Sequence, residues 1–352
     1  IKIPKAVKWI FTMLIVSIGW QAFRFSNIKE LFDYYKILFG IVRFDASDIF
    51  YQFVYFFDKK AIILFIAPAF ILFTAVLFYP ICRAVYFSFC DYKVNYPIKF
   101  TGLKNYILLF TKDKTMRYAL RNSIFFMIFS CVSQLILGLV LAALLTNIKK
   151  GRNLFKNIYY LPCVLSSAAL GLMWMFVFTP KLGINQIMAS LGLIKDCTEG
   201  PQWLFNTDGY IILPIIVISV VALWQYVGQS MMLYMAQISG ISNDIYEAAY
   251  IDGATRTQAF TRITLPLIRP MVATAMSLNA IGSLKFFDLV YNMIPEGFLG
   301  NRAHVLATHL YDQAFKYNKL GYGSAIGVVL LVMCLVVTVF INKFVKVDNY
   351  EM

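Results

Sequence analysis

Two groups of side chains in this 352-residue chain have types and spacings suited to specific chemistry. Gln225, Tyr226 and Gln229 lie in LWQYVGQSMMLY, and Asn279, Lys285 and Asp288 lie in MSLNAIGSLKFFDLVY, two otherwise apolar stretches. Amides, a phenol and two opposite charges supply donors and acceptors, and the rings of Trp224 and Tyr226 add flat faces. Such a set suits reversible recognition of a hydroxyl-rich solute such as a sugar, without covalent chemistry. The plainer use of the same residues is to bond one another and pin helices together. Lys285 and Asp288, three residues apart, have the spacing to pair on one helix.

The second group is DIYEAAYIDGATRTQAFTRITLP, from Asp244 to Pro266, a polar break between apolar runs. Asp244 with Glu247, and Thr255 with Gln258, have the form of two capping boxes, so two short helices are expected. Gly253 between them suits a left-handed cap, and Pro266 is expected to halt the second helix. Ala248 and Ala249 leave a low face that another protein's groove can approach. A well-capped surface loop with no partner is the bland alternative.

The elements that must position these groups follow from composition. Sixty per cent of residues are hydrophobic and 14% charged, too apolar for one soluble core with a polar surface. Apolar runs of about twenty residues, enough to cross the bilayer as helix, fall at 60–88, 119–146, 159–178, 211–236, 271–294 and 323–341, with a further run at 6–23. The net charge of +14 is spread between these runs rather than gathered in one patch, which argues for membrane topology and against nucleic acid. Lys59, Lys60, Lys149, Lys150, Arg152, Lys156, Lys343 and Lys346 mark cytoplasmic connections, and alternation then places Asp244–Arg262 in the cytoplasm. The connection carrying Lys93, Lys99, Lys104, Lys112, Lys114 and Arg117 falls outside despite its charge. Six scattered cysteines read as small buried hydrophobes. His304 and His309 have no third ligand nearby, so no metal site is expected.

The full pattern E-A-A, three residues, G, nine residues, I, one residue, L-P is met by Glu247, Ala248, Ala249, Gly253, Ile263, Leu265 and Pro266. In this the chain resembles the permease subunits of ATP-binding-cassette importers of the maltose-transporter type. APAFILFTAVLFYPICRAVYFSFCDY, FTGLKNY, LRNSIFF, NIYYLPCVLSSAALGLMW, FFDLVY and LGYGSAIGVVLL extend the resemblance over nearly all of 61–352. It implies an all-α membrane protein, a six-helix type I transmembrane domain with one extra N-terminal helix, in a bacterial inner membrane. It implies that residues 240–267 form a cytoplasmic coupling loop docking on a separate ATPase, through Glu247, Ala248, Ala249, Asp252, Gly253, Ile263, Leu265 and Pro266. The implied partners are a second permease, two ATPase subunits and an extracytoplasmic solute-binding protein; ATP is used by those ATPases, and no cofactor by this chain. The absence of a G-x-x-x-x-G-K-[ST] loop agrees with a passive partner. The resemblance also implies a solute cavity lined from the two spans that hold Gln225 to Gln229 and Asn279 to Asp288. IPEGFLGN departs from the glycine-rich turn that relatives carry there. The expected solute is a sugar or oligosaccharide, with glycerol phosphate or a polyamine as alternatives.

Residues 1–60 fall outside that pattern. Trp20, Phe23 and Arg24 form a W-x-x-F-R motif that resembles the C-terminal tail of a membrane-bound O-acyltransferase. The segment is then a remnant joined to the permease, or else an extra span native to it. An acyltransferase activity is opposed by the lack of any histidine before His304.

Overall fold

The computed structural model of the chain describes residues 59–148, 150–206, 208–209, 212–294 and 299–344. The run at 6–23 and the Trp20, Phe23 and Arg24 motif lie outside the described residues. The chain divides into two compact units, Ile1–Arg83 and Ala84–Met352.

In the first unit, α1 (Lys59–Phe73) runs into a π turn, Thr74–Phe78, and then into α2 (Tyr79–Ser88), whose last turns belong to the second unit. The second unit opens with a two-stranded antiparallel ribbon, β1 (Cys90–Asp91) against β2 (Lys99–Phe100), with Cys90 opposite Phe100. Helices follow: α3 (Lys104–Thr111), α4 (Lys114–Asn147), α5 (Arg152–Val164), α6 (Ser167–Phe178), α7 (Ile184–Ser190) and α8 (Leu213–Ser239). Then come α9 (Asn243–Ile251), α10 (Arg256–Ala259), a π turn Phe260–Thr264, α11 (Leu265–Leu267), α12 (Arg269–Leu284) and α13 (Asp288–Met293). The chain closes with α14 (Leu306–Tyr311), a π turn Asp312–Lys316 and α15 (Leu320–Phe344).

α8 is the axis of this unit. In its most apolar stretch 61% of residues are buried, against 28% in α4 and 22% in α15, so α8 faces protein while the others turn apolar sides outward. It packs along α4 and α5, and α4 also packs on α12. Gly228 allows the closest of these approaches, because a Cβ there would collide with the backbone carbonyl of Tyr159. Phe126, Ile215, Ile218, Leu289 and Met293 form the outer core; Ala142, Met231, Tyr234, Ile238 and Ile268 form the core nearer the Asp244–Pro266 loop.

Among the described residues four helices are long and apolar enough to cross a membrane, 66–88, 114–146, 213–239 and 320–343, or five if the α5–α6 pair counts as one span. The expected continuous span at 159–178 is instead bent by 94°. Leu165 and Ser166 are extended there, three and four residues after Pro162, whose missing N–H weakens that last turn. The expected span at 271–294 is interrupted too, because Phe287 leaves the helical region between α12 and α13. Of the cysteines, Cys90, Cys131 and Cys334 are buried as expected, Cys163 and Cys197 are half-buried, and Cys82 is exposed.

Candidate functional site

The Asp244–Pro266 loop folds as two short helices joined at Gly253. Ser242 caps α9, its hydroxyl accepting from the Asp244 N–H at 3.3 Å. This corrects the expectation that Asp244 caps the helix with Glu247. Ser242 stands two residues earlier with the right extended backbone, so Asp244 falls in the first turn, where its charge suits the helix dipole. The second box forms as expected: Gln258 N–H donates to Thr255 Oγ1 at 3.3 Å and Thr255 N–H to Gln258 Oε1 at 2.8 Å. Gly253 has φ +82°, and the Ala254 N–H returns to the Ala249 carbonyl at 2.9 Å, closing α9. Pro266 does not halt the second helix. It sits in the first turn of α11, directly after a π turn in which the Leu265 N–H reaches back to Phe260. The shifted bonding pattern and the N-terminal position leave the ring without an N–H it must supply.

α9 has two distinct sides. Glu247 and Ala248 are exposed, Ala249 is half-buried, and Asp252 and Gly253 continue the exposed surface around the turn. Ile251 is 86% exposed and Ile245 is 43% exposed, so the outer side is an apolar strip flanked by carboxylates. Those two isoleucines were not singled out from the sequence; their spacing around Ala248 was the available signal. Facing inward, the Tyr246 hydroxyl pairs with Thr264 Oγ1 at 2.8 Å. Thr264 is buried, and the Tyr246 ring joins Leu265 against the core of Met235, Ile238, Ile241 and Ile268. Ile263, Leu265 and Pro266 are half-buried on this supporting side, away from the strip. The loop is thus a presented helix with a fixed base.

The six intramembrane candidates separate into two networks and a remainder. Gln225 is fully buried and donates from Nε2 to Ser167 Oγ at 3.0 Å; the Tyr226 hydroxyl lies 3.0 Å from the same Ser167 oxygen. Asn279 donates to Ser230 Oγ at 3.1 Å, and Ser230 in turn to Gln134 Oε1 at 3.2 Å, tying α12, α8 and α4. Helix pinning is therefore one demonstrated job of Gln225 and Asn279. Gln229, Lys285 and Asp288 are exposed, Gln229 accepting only a long contact from Cys163 Sγ at 3.8 Å. Lys285 and Asp288 form no ion pair, because the break after α12 takes them off a common helix. Among the aromatic residues of these helices, Trp224 meets Trp174 edge-on at 5.4 Å, and Tyr226 meets Phe286, the neighbour of Lys285 in sequence, at 6.1 Å. Ser167, Ser230 and Gln134 are the partners that spacing in sequence did not disclose.

A further polar knot lies at the opposite end of α4. Asp113, the α4 N-cap, accepts from the Met116 N–H at 3.1 Å, meets His309 Nε2 at 2.9 Å, and accepts from the Tyr322 hydroxyl at 2.6 Å. Burial pushes its carboxyl upward, but the bonds from His309, Tyr322 and Met116 outweigh that and hold it well below the usual carboxylate range. His304, 2% exposed, is pulled down to about 3 by burial, with His309 and Lys316 adding repulsion. Burial raises Asp312 above its ordinary value.

Residues 134–346 match the family model described as "Binding-protein-dependent transport system inner membrane component". The chain is 34% identical over 292 residues to the probable ABC transporter permease protein YurN of Bacillus subtilis, covering 82% of this chain and 97% of that one. It is 30% identical over 290 residues to the arabinooligosaccharides transport system permease protein AraP of the same organism, covering 82% and 90%. Its fold is similar to a chain in the crystal structure of a bacterial ABC transporter involved in the import of the acidic polysaccharide alginate, with TM-score 0.68 and 24% identity over 83% of this chain and 97% of that one. A multi-pass helical body, a presented loop helix and a match over more than half its length leave one assignment: the chain belongs to the inner-membrane permease family of binding-protein-dependent ABC transport systems.

Proposed function

We propose that this chain is one of two permease subunits in an ATP-driven importer that carries a sugar or oligosaccharide delivered by an extracytoplasmic binding protein. The observation that carries the reading is α9, whose exposed strip of Ile245, Ala248 and Ile251 lies beside Glu247 and is held from behind by Tyr246 on Thr264. An ATPase cleft that grips the strip moves a lever rooted in the bundle. Displacement of α9 passes through the Tyr246–Thr264 contact into α11 and α12, and through the core around Ile238 and Ile268 into α8. Closing two ATPase subunits around ATP thus turns the bundle from inward-facing to outward-facing, and the hydrolysis belongs to those subunits. Residues 61–352 supply the permease domain, and residues 1–60 an accessory segment or a joined remnant.

Carbohydrate as the solute is supported by the arabinooligosaccharide and alginate systems among the similar proteins. It is supported too by the residue types of these two helices: Gln229, Lys285 and Asp288 are exposed and offer polar contacts, and Trp224 and Tyr226 offer ring faces. Glu247→Lys tests the docking role. Reversing an exposed charge leaves insertion intact, and ATP-coupled uptake into vesicles falls at least about tenfold, equivalent to ~1.4 kcal/mol of lost coupling. Uptake at the wild-type rate by this variant removes Glu247 from the interface.

A further inference from the structure

Behind α9 lies a cavity of about 470 Å³, walled by the inner side of that helix and the ends of α4, α5 and α8. Two guanidiniums, Arg152 and Arg256, line it together with Ser239, Asn243, Tyr246 and Thr264, and the lining includes no carboxylate. Arg152 is half-buried and is held in place by donating to Ser239 Oγ at 3.1 Å. Among the described residues no side-chain hydrogen bond or ion pair engages Arg256. Glu247, Ala248 and Ile251 are absent from the lining, so the cavity and the docking strip use different sides of one helix.

Two arginines facing a small polar cavity without a countercharge form an anion host. The planar fork of guanidinium fits phosphate oxygens two at a time, and the Ser239 hydroxyl, with the one proton that the Tyr246–Thr264 pair leaves free, can serve remaining oxygens. The volume is at the small end of ligand pockets, enough for a phosphorylated monosaccharide. We propose that this cavity binds a phosphate-bearing anion from the cytoplasmic side, between Arg152 and Arg256. The group arrives either on a soluble sugar-phosphate-sized metabolite or on an inner-leaflet lipid. An occupant wedges the space between α9 and the bundle and restrains the lever; that consequence rests on the docking reading above, whereas binding itself does not.

The test uses the assembled transporter in detergent free of anionic lipid, with glucose 6-phosphate as the probe and glucose as the uncharged control. The expected result is a saturable rise in the thermal midpoint of this chain with glucose 6-phosphate and none with glucose. Arg256→Gln, at an exposed position whose side chain bonds no described residue, keeps the fold and weakens the apparent affinity about tenfold or more, as does Arg152→Gln. A lipid source shows instead as an Arg256-dependent rise in nanodiscs of phosphatidylglycerol over phosphatidylcholine, with no response to glucose 6-phosphate. The proposal is overturned if neither probe shifts the midpoint, or if Arg256→Gln leaves the shift unchanged. Coupled uptake by Glu247→Lys is read separately, so failure of the docking role and failure of this site are distinct results.

Discussion

Tyr246 ties the presented helix to the bundle through one hydroxyl pair with buried Thr264. Tyr246→Phe keeps the ring packed but leaves that hydroxyl without its partner, a loss of about 1–2 kcal/mol at this joint. The expected outcome is continued ATP hydrolysis with fewer solute molecules moved per ATP, read as the ratio of uptake to phosphate release in vesicles. At the other end of α4 the prediction concerns pH. His304 is buried in its neutral form with a depressed value of about 3, so the unfolded chain binds its proton first and stability falls as pH drops below about 6.5. Asp113 acts in the same direction further down: once pH falls past the ordinary carboxylate value the unfolded chain takes its proton first, and the stabilisation erodes until the lowered folded value is reached; Asp312, raised by burial, opposes both. His304→Asn should flatten the fall of the thermal midpoint between pH 6.5 and 4.5 relative to wild type. An unchanged slope would assign the acid sensitivity elsewhere.

At the scale of elements, two glycines set geometry that other residues cannot reproduce. Gly253 at φ +82° has open space around it, so Gly253→Ala meets no clash and costs only backbone strain, about 1–2 kcal/mol, released by fraying the end of α9. Weaker capture of the ATPase subunits, with normal insertion, is the outcome to look for in co-purification. Gly228→Ala sets a methyl against the Tyr159 carbonyl and forces α5 from α8; a loss of about 1–3 kcal/mol should show as a lower thermal midpoint. The loop was legible to the extent that local chemistry decided it: Thr255, Gln258 and Gly253 took the forms their types require. Asp244 and Pro266 did not, because Ser242 offered an earlier cap and a π turn absorbed the proline. Apolar runs disclosed where α4, α8 and α15 lie. The bend at Leu165 and Ser166 and the break before Asp288 were not legible, since hydrophobicity alone does not record backbone direction.

At the scale of the molecule, burial separates the working parts. α8 is sheathed by its neighbours, while α4 and α15 keep apolar surface turned outward. The family was legible from one loop, because seven positions from Glu247 to Pro266 keep a fixed spacing within a short segment. The solute was less legible: Gln225 and Asn279 have partners drawn from other helices, so their roles depend on tertiary approach rather than on sequence neighbours. The most direct measurement is ATP hydrolysis by the ATPase subunits when this chain is reconstituted in liposomes with them, a second permease and a binding protein. Hydrolysis should rise several-fold when sugar-loaded binding protein is added, and Glu247→Lys should abolish that rise while leaving the chain inserted. Stimulation that persists in Glu247→Lys, or sugar uptake that proceeds without the ATPase subunits, would contradict the assignment of α9 as the point where the ATPase drives this permease.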